Sequence, residues 1–178
     1  GVTDACLQLQ DQRRADVIML LFCVWAGTTR GRLNEQEFAA AAAYSRLVDR
    51  LGEVTPAAFS TLDPLELRAI GFSRQKAGYV GGLAAGIQSG QIDLDALANL
   101  PDDIARGRLQ EIRGIGPWTA DVYLMFSLDR PDIWPPGDRA LLVALGRLLD
   151  LAGVPTVEFA ATHAQRWRPF RAEEARML

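Results

Sequence analysis

The amino-acid sequence predicts an all-α protein made of two packed helical subdomains. No segment shows the sustained period-two alternation, rich in β-branched residues, that is typical of strands. Apolar stretches lie instead between Gly and Pro residues, which begin and end helices. The connections are short, so neighbouring helices should pack antiparallel or orthogonally. We expect residues 1–178 to form a single domain of this kind.

Nine helices are expected in chain order. Asn34 is a suitable N-cap for the second helix, and Asp63-Pro64 opens the third as a cap followed by proline at the first helical position. The last helix is short and frayed. The predicted helices cover residues 14–26, 34–51, a stretch that starts at 63, and then 73–88, 101–112, 118–128, 138–149, 156–166 and 172–178.

Composition excludes several classes of function. Cys6 and Cys23 lack metal-ligand spacing and His163 is the single histidine, so a zinc or iron–sulfur site has too few of its usual ligands. Two cysteines do not suggest a disulfide scaffold, and we expect a cytoplasmic protein. The longest apolar stretch, residues 17–26, is too short to span a bilayer. We therefore expect no metal, no cofactor and no membrane partner.

The net charge of −3 argues against a protein that coats DNA by bulk electrostatics. It is compatible with an enzyme that touches few phosphates, because backbone N–H groups hold phosphate without any side-chain charge. Lys76 is the single lysine among 19 basic residues. This scarcity limits any chemistry that needs an amine.

The most informative segment, residues 109–120, reads LQEIRGIGPWTA. A helix ends at Gly114-Ile115-Gly116, and Pro117 begins the next one. Two glycines around one aliphatic residue allow a tight turn with unusual backbone angles, and Ile115 should point inward. Backbone N–H groups beside the positive end of a helix dipole make a phosphate site. The alternative is a compact helix–helix corner without a ligand, as in the weaker echo of this pattern at residues 67–80.

A single aspartate follows the hairpin, at the end of Pro135-Pro136-Gly137-Asp138 and directly before an apolar helical run. Asp138 is well placed to cap that helix. The helix dipole and the backbone N–H donors hold a carboxylate ionised at such a position. Taken alone, the pattern indicates a cap and nothing more.

Together, the hairpin at about 109–128, the Gly/Pro loop at about 129–138 and the trailing aspartate resemble the helix-hairpin-helix–Gly/Pro–Asp superfamily of base-excision DNA glycosylases. Within it, the sequence is most similar to the DNA-3-methyladenine glycosylase II group. The similarity extends from about residue 62 to a closing motif, RWRPFR, at 166–171, whereas residues 17–38 depart from the family pattern.

The resemblance implies a cleft between the two subdomains and a catalytic role for Asp138. Its carboxylate would stabilise positive charge that develops on the deoxyribose and would orient or deprotonate water. The resemblance also implies that the hairpin region contacts DNA, whereas Arg139 either approaches a phosphate or is a solvated first-turn residue. The expected DNA-binding residues are Gly114, Ile115, Gly116, Trp118, Thr119 and Arg139.

Bifunctional members of the superfamily carry a lysine two residues after the second hairpin glycine, and its amine forms a Schiff base with the sugar. Here that position is Trp118. The resemblance therefore implies base removal without lyase activity. It further implies a monomeric, nucleoid-associated bacterial protein that acts on damaged double-stranded DNA.

The target base must leave the helical stack, and a cationic alkylated purine is attracted by aromatic faces. The expected pocket residues are Trp118, Tyr123, Trp167 and Phe170, each of which is alternatively a core residue. Two other functions remain compatible with the sequence. One is a non-catalytic helix-hairpin-helix DNA-binding module, suggested by the acidic charge; the other is a glycosylase for a different base lesion.

Overall fold

The computed structural model describes the backbone of residues 33–178 and the side chains of residues 42–178. Within that range the chain is helical and has no strand, which confirms the all-α prediction. None of these helices is long and apolar enough to cross a membrane. The predicted helix at 14–26 lies outside the described residues. The helices are α1 (Leu33–Leu51), α2 (Pro56–Phe59), α3 (Pro64–Ile70), α4 (Arg74–Gln88), α5 (Leu94–Leu97), α6 (Asp102–Glu111), α7 (Pro117–Phe126), α8 (Arg139–Leu148), α9 (Val157–Ala164), a 3-10 helix (Gln165–Trp167) and α10 (Arg171–Met177).

Two of these helices, α2 and α5, were not predicted. Each is a single turn begun by a side-chain cap: Thr55 Oγ1 accepts a hydrogen bond from the N–H of Ala58 at 3.1 Å, and Asp93 Oδ1 accepts one from the N–H of Ala96 at 3.0 Å. A segment this short does not complete the apolar period that marks a longer helix. Only the cap distinguishes it from a loop.

A larger hydrophobic core lies among α1 to α7. In this part of the chain α4 packs against α2 and α3, α1 packs against α3, and α6 packs against α7. Burial of these apolar side chains is the main favourable contribution to folding. The largest side chains of this core with almost no exposed surface are Val80, Leu83, Leu109, Tyr123, Leu124 and Ile133.

A smaller second core lies among α8, α9 and the 3-10 helix. Helix α8 packs against α9, and Trp167 packs at the edge of this core. The two cores correspond to the two packed subdomains that the sequence predicts. The buried residues of the second core are Trp134, Leu141, Leu142, Leu145, Ala160 and Ala164.

The chain passes between the two cores in the segment that connects α7 to α8. Ile133 is buried in the first core, and the next residue, Trp134, is buried in the second. The C-terminal helix joins the cores again, because Ala172 is buried in the first and Ala175 packs against both. The residues that lead to Asp138 therefore lie where the two cores meet.

Candidate active site

Asp138 is the N-cap of α8, as the sequence predicts. Its Oδ1 accepts a hydrogen bond from the N–H of Leu141 at 2.9 Å, and its own N–H donates to the carbonyl of Pro135 at 3.1 Å. The side chain is half-buried. One carboxylate oxygen is therefore committed to the helix, and this bond sets the orientation of the other.

Trp118 provides the partner of that other oxygen. It is the second residue of α7, and its indole Nε1–H donates to Asp138 Oδ2 at 2.8 Å. A hydrogen bond to a charged acceptor is stronger than one between neutral groups. This bond joins a helix of the first core to a helix of the second, and it brings together two residues that the sequence proposed separately.

Of the two glycines in the hairpin, Gly114 alone has a backbone conformation that favours glycine. Gly114 has φ +98°, in the left-handed region, and a Cβ atom there would lie 2.7 Å from the ring of Tyr79. Gly116 has φ −93° and ψ 177°, which other residues adopt, and a Cβ atom there would meet nothing within 4 Å. The expectation of unusual angles is thus correct for Gly114 and wrong for Gly116. Ile115 is buried between the helices, as expected.

Helix α7 begins without a side-chain cap. Gly116 is its N-cap residue and has no side chain, and Pro117 follows at the first helical position. The corner between α3 and α4 echoes this pattern, with Gly71 at φ +115°, but there Ser73 caps the next helix through its hydroxyl. The N–H groups in the first turn of a helix lack partners within the helix. At the corner between α6 and α7, no side chain accepts a hydrogen bond from these N–H groups.

Two other residues expected at a DNA interface lie close to these helix ends. Thr119 lies in the first turn of α7, and its residue surface is only 3% exposed. In this conformation its hydroxyl is therefore little accessible to a ligand. Arg139 is the first residue of α8 and is exposed beside Asp138.

The structure separates the expected pocket aromatics into different environments. Tyr123 is 0% exposed and lies in the first core, so a base would reach it only after the helices had moved apart. Phe170 is 59% exposed and directly precedes α10. Trp167 is partly buried against Trp134, with ring centroids 5.6 Å apart.

His163 contacts the same aromatic group. Its ring meets Trp167 edge-on at 5.1 Å and stacks on Phe159 at 6.0 Å. Burial lowers the pKa of His163, and the positive charge of Arg166 lowers it further. This side chain is a packing residue at the end of α9.

An ion-pair cluster centred on Asp132 was not predicted from the sequence. Its carboxylate accepts hydrogen bonds from Arg171 Nε at 2.7 Å and from Arg168 Nε at 3.1 Å. These bonds lower the pKa of Asp132, the Arg171 bond contributing most. The partners are 36 and 39 residues apart in the chain, so no local pattern could have indicated the pairing. The only indication of the pairing in the sequence was the presence of Arg168 and Arg171 in the closing motif.

A second buried ion pair joins α6 to α7. Arg106 Nε donates to Asp121 Oδ1 at 2.6 Å, and Asp121 is almost wholly buried. Burial raises the pKa of Asp121, while the guanidinium of Arg106 and then the charge of Arg171 oppose that rise. Arg171 therefore lies within electrostatic reach of two carboxylates.

A cavity of about 670 Å³ lies away from Asp138, beside α4, α5 and α6. Its lining includes Tyr79, Leu83, Leu97, Arg108 and Ile112, but neither Trp118 nor Asp138. Among residues 42–178, whose side chains the structure describes, no group of three His, Cys, Asp or Glu side chains could hold a metal ion.

Comparison with known proteins places most of the chain in one family. Residues 35–169 match the family described as HhH-GPD superfamily base excision DNA repair protein. Residues 1–51 also match a family described as protein of unknown function (DUF2390). This second match covers residues 17–38, where the sequence departs from the glycosylase pattern.

The chain is similar to DNA-3-methyladenine glycosylase 1 of Schizosaccharomyces pombe, at 33% identity over 68% of this chain and 54% of that protein. It is 30% identical to a DNA-3-methyladenine glycosylase of Bacillus subtilis over 62% of this chain and 37% of that protein. The chain thus spans about half of these relatives or less. The solved structure of the S. pombe 3-methyladenine DNA glycosylase Mag1 in complex with abasic DNA superposes with a TM-score of 0.79 at 28% identity, covering 90% of this chain and 77% of that chain.

Proposed function

Because the chain belongs to the HhH-GPD superfamily of base excision DNA repair proteins, we propose that it is a DNA glycosylase that hydrolyses the N-glycosidic bond of alkylated purines. The proposed substrate class is the 3-methyladenine type, and the proposed partner is damaged double-stranded DNA. The similarity to proteins named DNA-3-methyladenine glycosylase supports this choice.

The observation that carries the proposal is the fixed orientation of the Asp138 carboxylate. One oxygen caps α8 and the other accepts the indole N–H of Trp118 at 2.8 Å, so the side chain has a defined orientation. The group remains half-buried rather than sealed in the interior. A carboxylate that is oriented before the substrate arrives needs little reorganisation when charge develops nearby.

The reaction needs such a group. Cleavage of the bond between sugar and base leaves the deoxyribose with oxocarbenium character, and the negative charge of Asp138 stabilises it. The base leaves with the bonding electrons, water then adds to the sugar carbon, and the carboxylate helps to orient that water and take its proton. A purine alkylated at a ring nitrogen, as in 3-methyladenine, carries a positive charge in DNA, which already makes it a good leaving group.

The hairpin supplies the proposed DNA contact. The first turn of α7 presents backbone N–H groups with no side-chain cap, next to the open space above Gly116. A phosphate oxygen bound there gains both hydrogen bonds and the favourable end of the helix dipole. Gly114 and Ile115 hold the turn in shape, and Arg139 adds a positive charge beside Asp138.

We propose that the enzyme removes the base without cleaving the strand. Lyase chemistry in this superfamily uses an amine at the position of Trp118, and an indole cannot form a Schiff base. Incubation with duplex DNA containing an abasic site, followed by borohydride reduction, should trap no covalent complex through residue 118. A Lys76→Arg variant keeps the positive charge and tests whether the single lysine contributes to any trapping that is seen.

Release of free base tests the proposed function directly. Alkylated duplex DNA incubated with the protein should yield 3-methyladenine or 7-methylguanine, detected by chromatography. Asp138→Asn should reduce the rate on the order of 10²-fold or more, while DNA binding persists, because Asn is an equally good N-cap. The matched control is Asp63→Asn, which makes the same substitution at the N-cap of α3 and should leave the rate unchanged.

A panel of duplexes, each with one lesion, identifies the substrate. Release of alkylated purines supports the proposal, whereas release of a deaminated or oxidised base alone would replace it with a glycosylase for that lesion. Salt-sensitive binding to duplex DNA without release of any base would identify a non-catalytic binding module.

A further inference from the structure

The loop before Asp138 is held by a clasp of three charged side chains. Arg171 donates from Nε to Asp132 Oδ1 at 2.7 Å and from Nη2 to Oδ2 at 3.0 Å, and Arg168 Nε reaches Oδ2 at 3.1 Å. Arg171 Nη2 also donates to the backbone carbonyl of Asp132 at 2.8 Å. This geometry matches the planar fork of a guanidinium to a carboxylate and fixes the backbone as well as the side chain.

The clasp lies where the chain crosses between the two cores. Asp132 directly precedes Ile133, which is buried in the first core, and Trp134, which is buried in the second. Beside it, the N–H of Ala172 donates to the carbonyl of Pro131 at 2.8 Å. The start of α10 is thus joined to the loop by backbone and side-chain bonds together.

The charges around the clasp favour its closed form. Arg171 and Asp132 are both less than one-fifth exposed, so solvent screens their attraction less than it screens a surface pair. Arg171 also interacts electrostatically with the buried Asp121, which is bonded to Arg106. Removing the Asp132 charge leaves the partly buried Arg171 and the exposed Arg168 without their shared carboxylate and favours movement of the loop.

Two features restrict the backbone between Asp132 and Asp138. Pro135 and Pro136 have restricted φ angles, and the N–H of Asp138 closes a turn onto the carbonyl of Pro135. We therefore expect a shift of the backbone at residue 132 to displace Asp138 relative to Trp118. A misplacement of about 1 Å at a reacting group costs on the order of a hundredfold in rate.

We propose that Asp132 is a positioning residue, which sets the place of the Asp138 carboxylate through the loop it anchors to Arg168 and Arg171. It touches neither the sugar nor the base. This role rests on the proposed glycosylase activity, but the geometry of the loop can be measured independently of activity.

The test compares Asp132→Asn with wild type in three measurements below the melting temperature of both proteins. These are the single-turnover rate of base release, the Kd for a duplex with an abasic site, and the two-dimensional NMR signal of the Trp118 indole N–H. The chain has four tryptophans, and Trp118→Phe identifies that signal by its loss. The control is Asp129→Asn, which removes an exposed ion pair between the same segment and Arg176 of α10.

Asp132→Asn should slow base release on the order of tenfold or more, leave the Kd within about twofold, and shift the Trp118 indole signal. Asp132→Glu keeps the charge and should recover part of the rate. Asp129→Asn should change neither the rate nor the signal. The proposal is overturned if Asp132→Asn releases base at the wild-type rate. It is also overturned if release is slower but the Trp118 indole signal does not shift.

Two complications have separate readouts. If Asp132→Asn is unfolded at the assay temperature, Arg168→Gln removes one bond of the clasp. It should show a smaller loss of rate and a smaller shift of the Trp118 indole signal, with the Kd again within about twofold; an unchanged rate and signal would overturn the proposal. If the wild-type protein releases no base, the proposed function fails, and the indole signal alone then supports or overturns the positional coupling.

Discussion

The indole N–H of Trp118 lies 2.8 Å from Oδ2 of Asp138, and this hydrogen bond joins the first turn of α7 to the N-cap of α8. Because the backbone N–H of Leu141 donates to the other carboxylate oxygen, both oxygens have a protein donor before any substrate is present. Trp118 thus acts on the carboxylate through its N–H, in addition to the aromatic contact with a base that the sequence suggests.

Trp118→Phe separates these two roles, because phenylalanine keeps an aromatic face but lacks the N–H donor. A hydrogen bond to a charged group contributes about 1.5–3 kcal/mol, so the single-turnover rate of base release should decrease about tenfold or more. The Kd for duplex DNA should change little. A wild-type rate in this variant would show that the bond is dispensable for catalysis.

Gly114→Ala should destabilise the protein. The substituted residue would have to adopt φ +98° and would place its Cβ atom 2.7 Å from the ring of Tyr79. The left-handed backbone alone costs about 1–2 kcal/mol, and the contact adds to it. Urea denaturation should show a loss of at least about 2 kcal/mol in the free energy of unfolding; an unchanged midpoint would contradict the geometry.

Gly116→Ala is the matched substitution on the other side of Ile115. Its Cβ atom enters open space at an ordinary φ, so the free energy of unfolding should fall only by the poorer N-capping of alanine, about 1 kcal/mol. Affinity for duplex DNA should nevertheless decrease several-fold, because the new methyl group lies where the phosphate is proposed to approach. Unaltered affinity would argue against a close backbone approach at this glycine.

Phe170→Ala tests the exposed aromatic of the closing motif. Its side chain is largely exposed, so the free energy of unfolding should change by less than about 0.5 kcal/mol. If its ring contacts a cationic base, release of 3-methyladenine should slow on the order of tenfold. The control is Phe159→Ala, at another exposed aromatic. Equal rates of base release for the two variants would show that Phe170 is not part of the pocket.

Asp132 should make stability depend on pH. Hydrogen bonds from Arg171 and Arg168 lower the pKa of Asp132 in the folded protein, whereas the unfolded chain has a value of about 3.9. Its stabilising contribution is therefore complete above that value and is lost as the pH falls through the lowered pKa. Asp121, the other carboxylate beside Arg171, has its pKa raised by burial and contributes in the opposite direction.

The measurement is urea denaturation of wild type and Asp132→Asn between about pH 7 and pH 3. The difference in free energy of unfolding should be constant near neutrality and should narrow below about pH 4. A difference that does not narrow would mean that the charge on Asp132 is not what stabilises the fold.

The sequence by itself determined the features that depend on neighbouring residues. Apolar periodicity and the caps and prolines at helix ends located the longer helices from α1 to α10, and the same local signals identified the hairpin turn and Asp138 as the cap of α8. These features need only a few consecutive residues, because backbone angles, caps and helix faces are set within one or two turns.

Tertiary structure alone decided which distant groups meet. Trp118 and Asp138 are 20 residues apart, and Asp132 and Arg171 are 39 apart, so each contact depends on how elements distant in the chain pack together. The packing of the helices buries Tyr123 completely and leaves Phe170 exposed, although both were predicted to line the pocket. Residue type limits what a side chain can bind, but the relative placement of helices determines what it reaches.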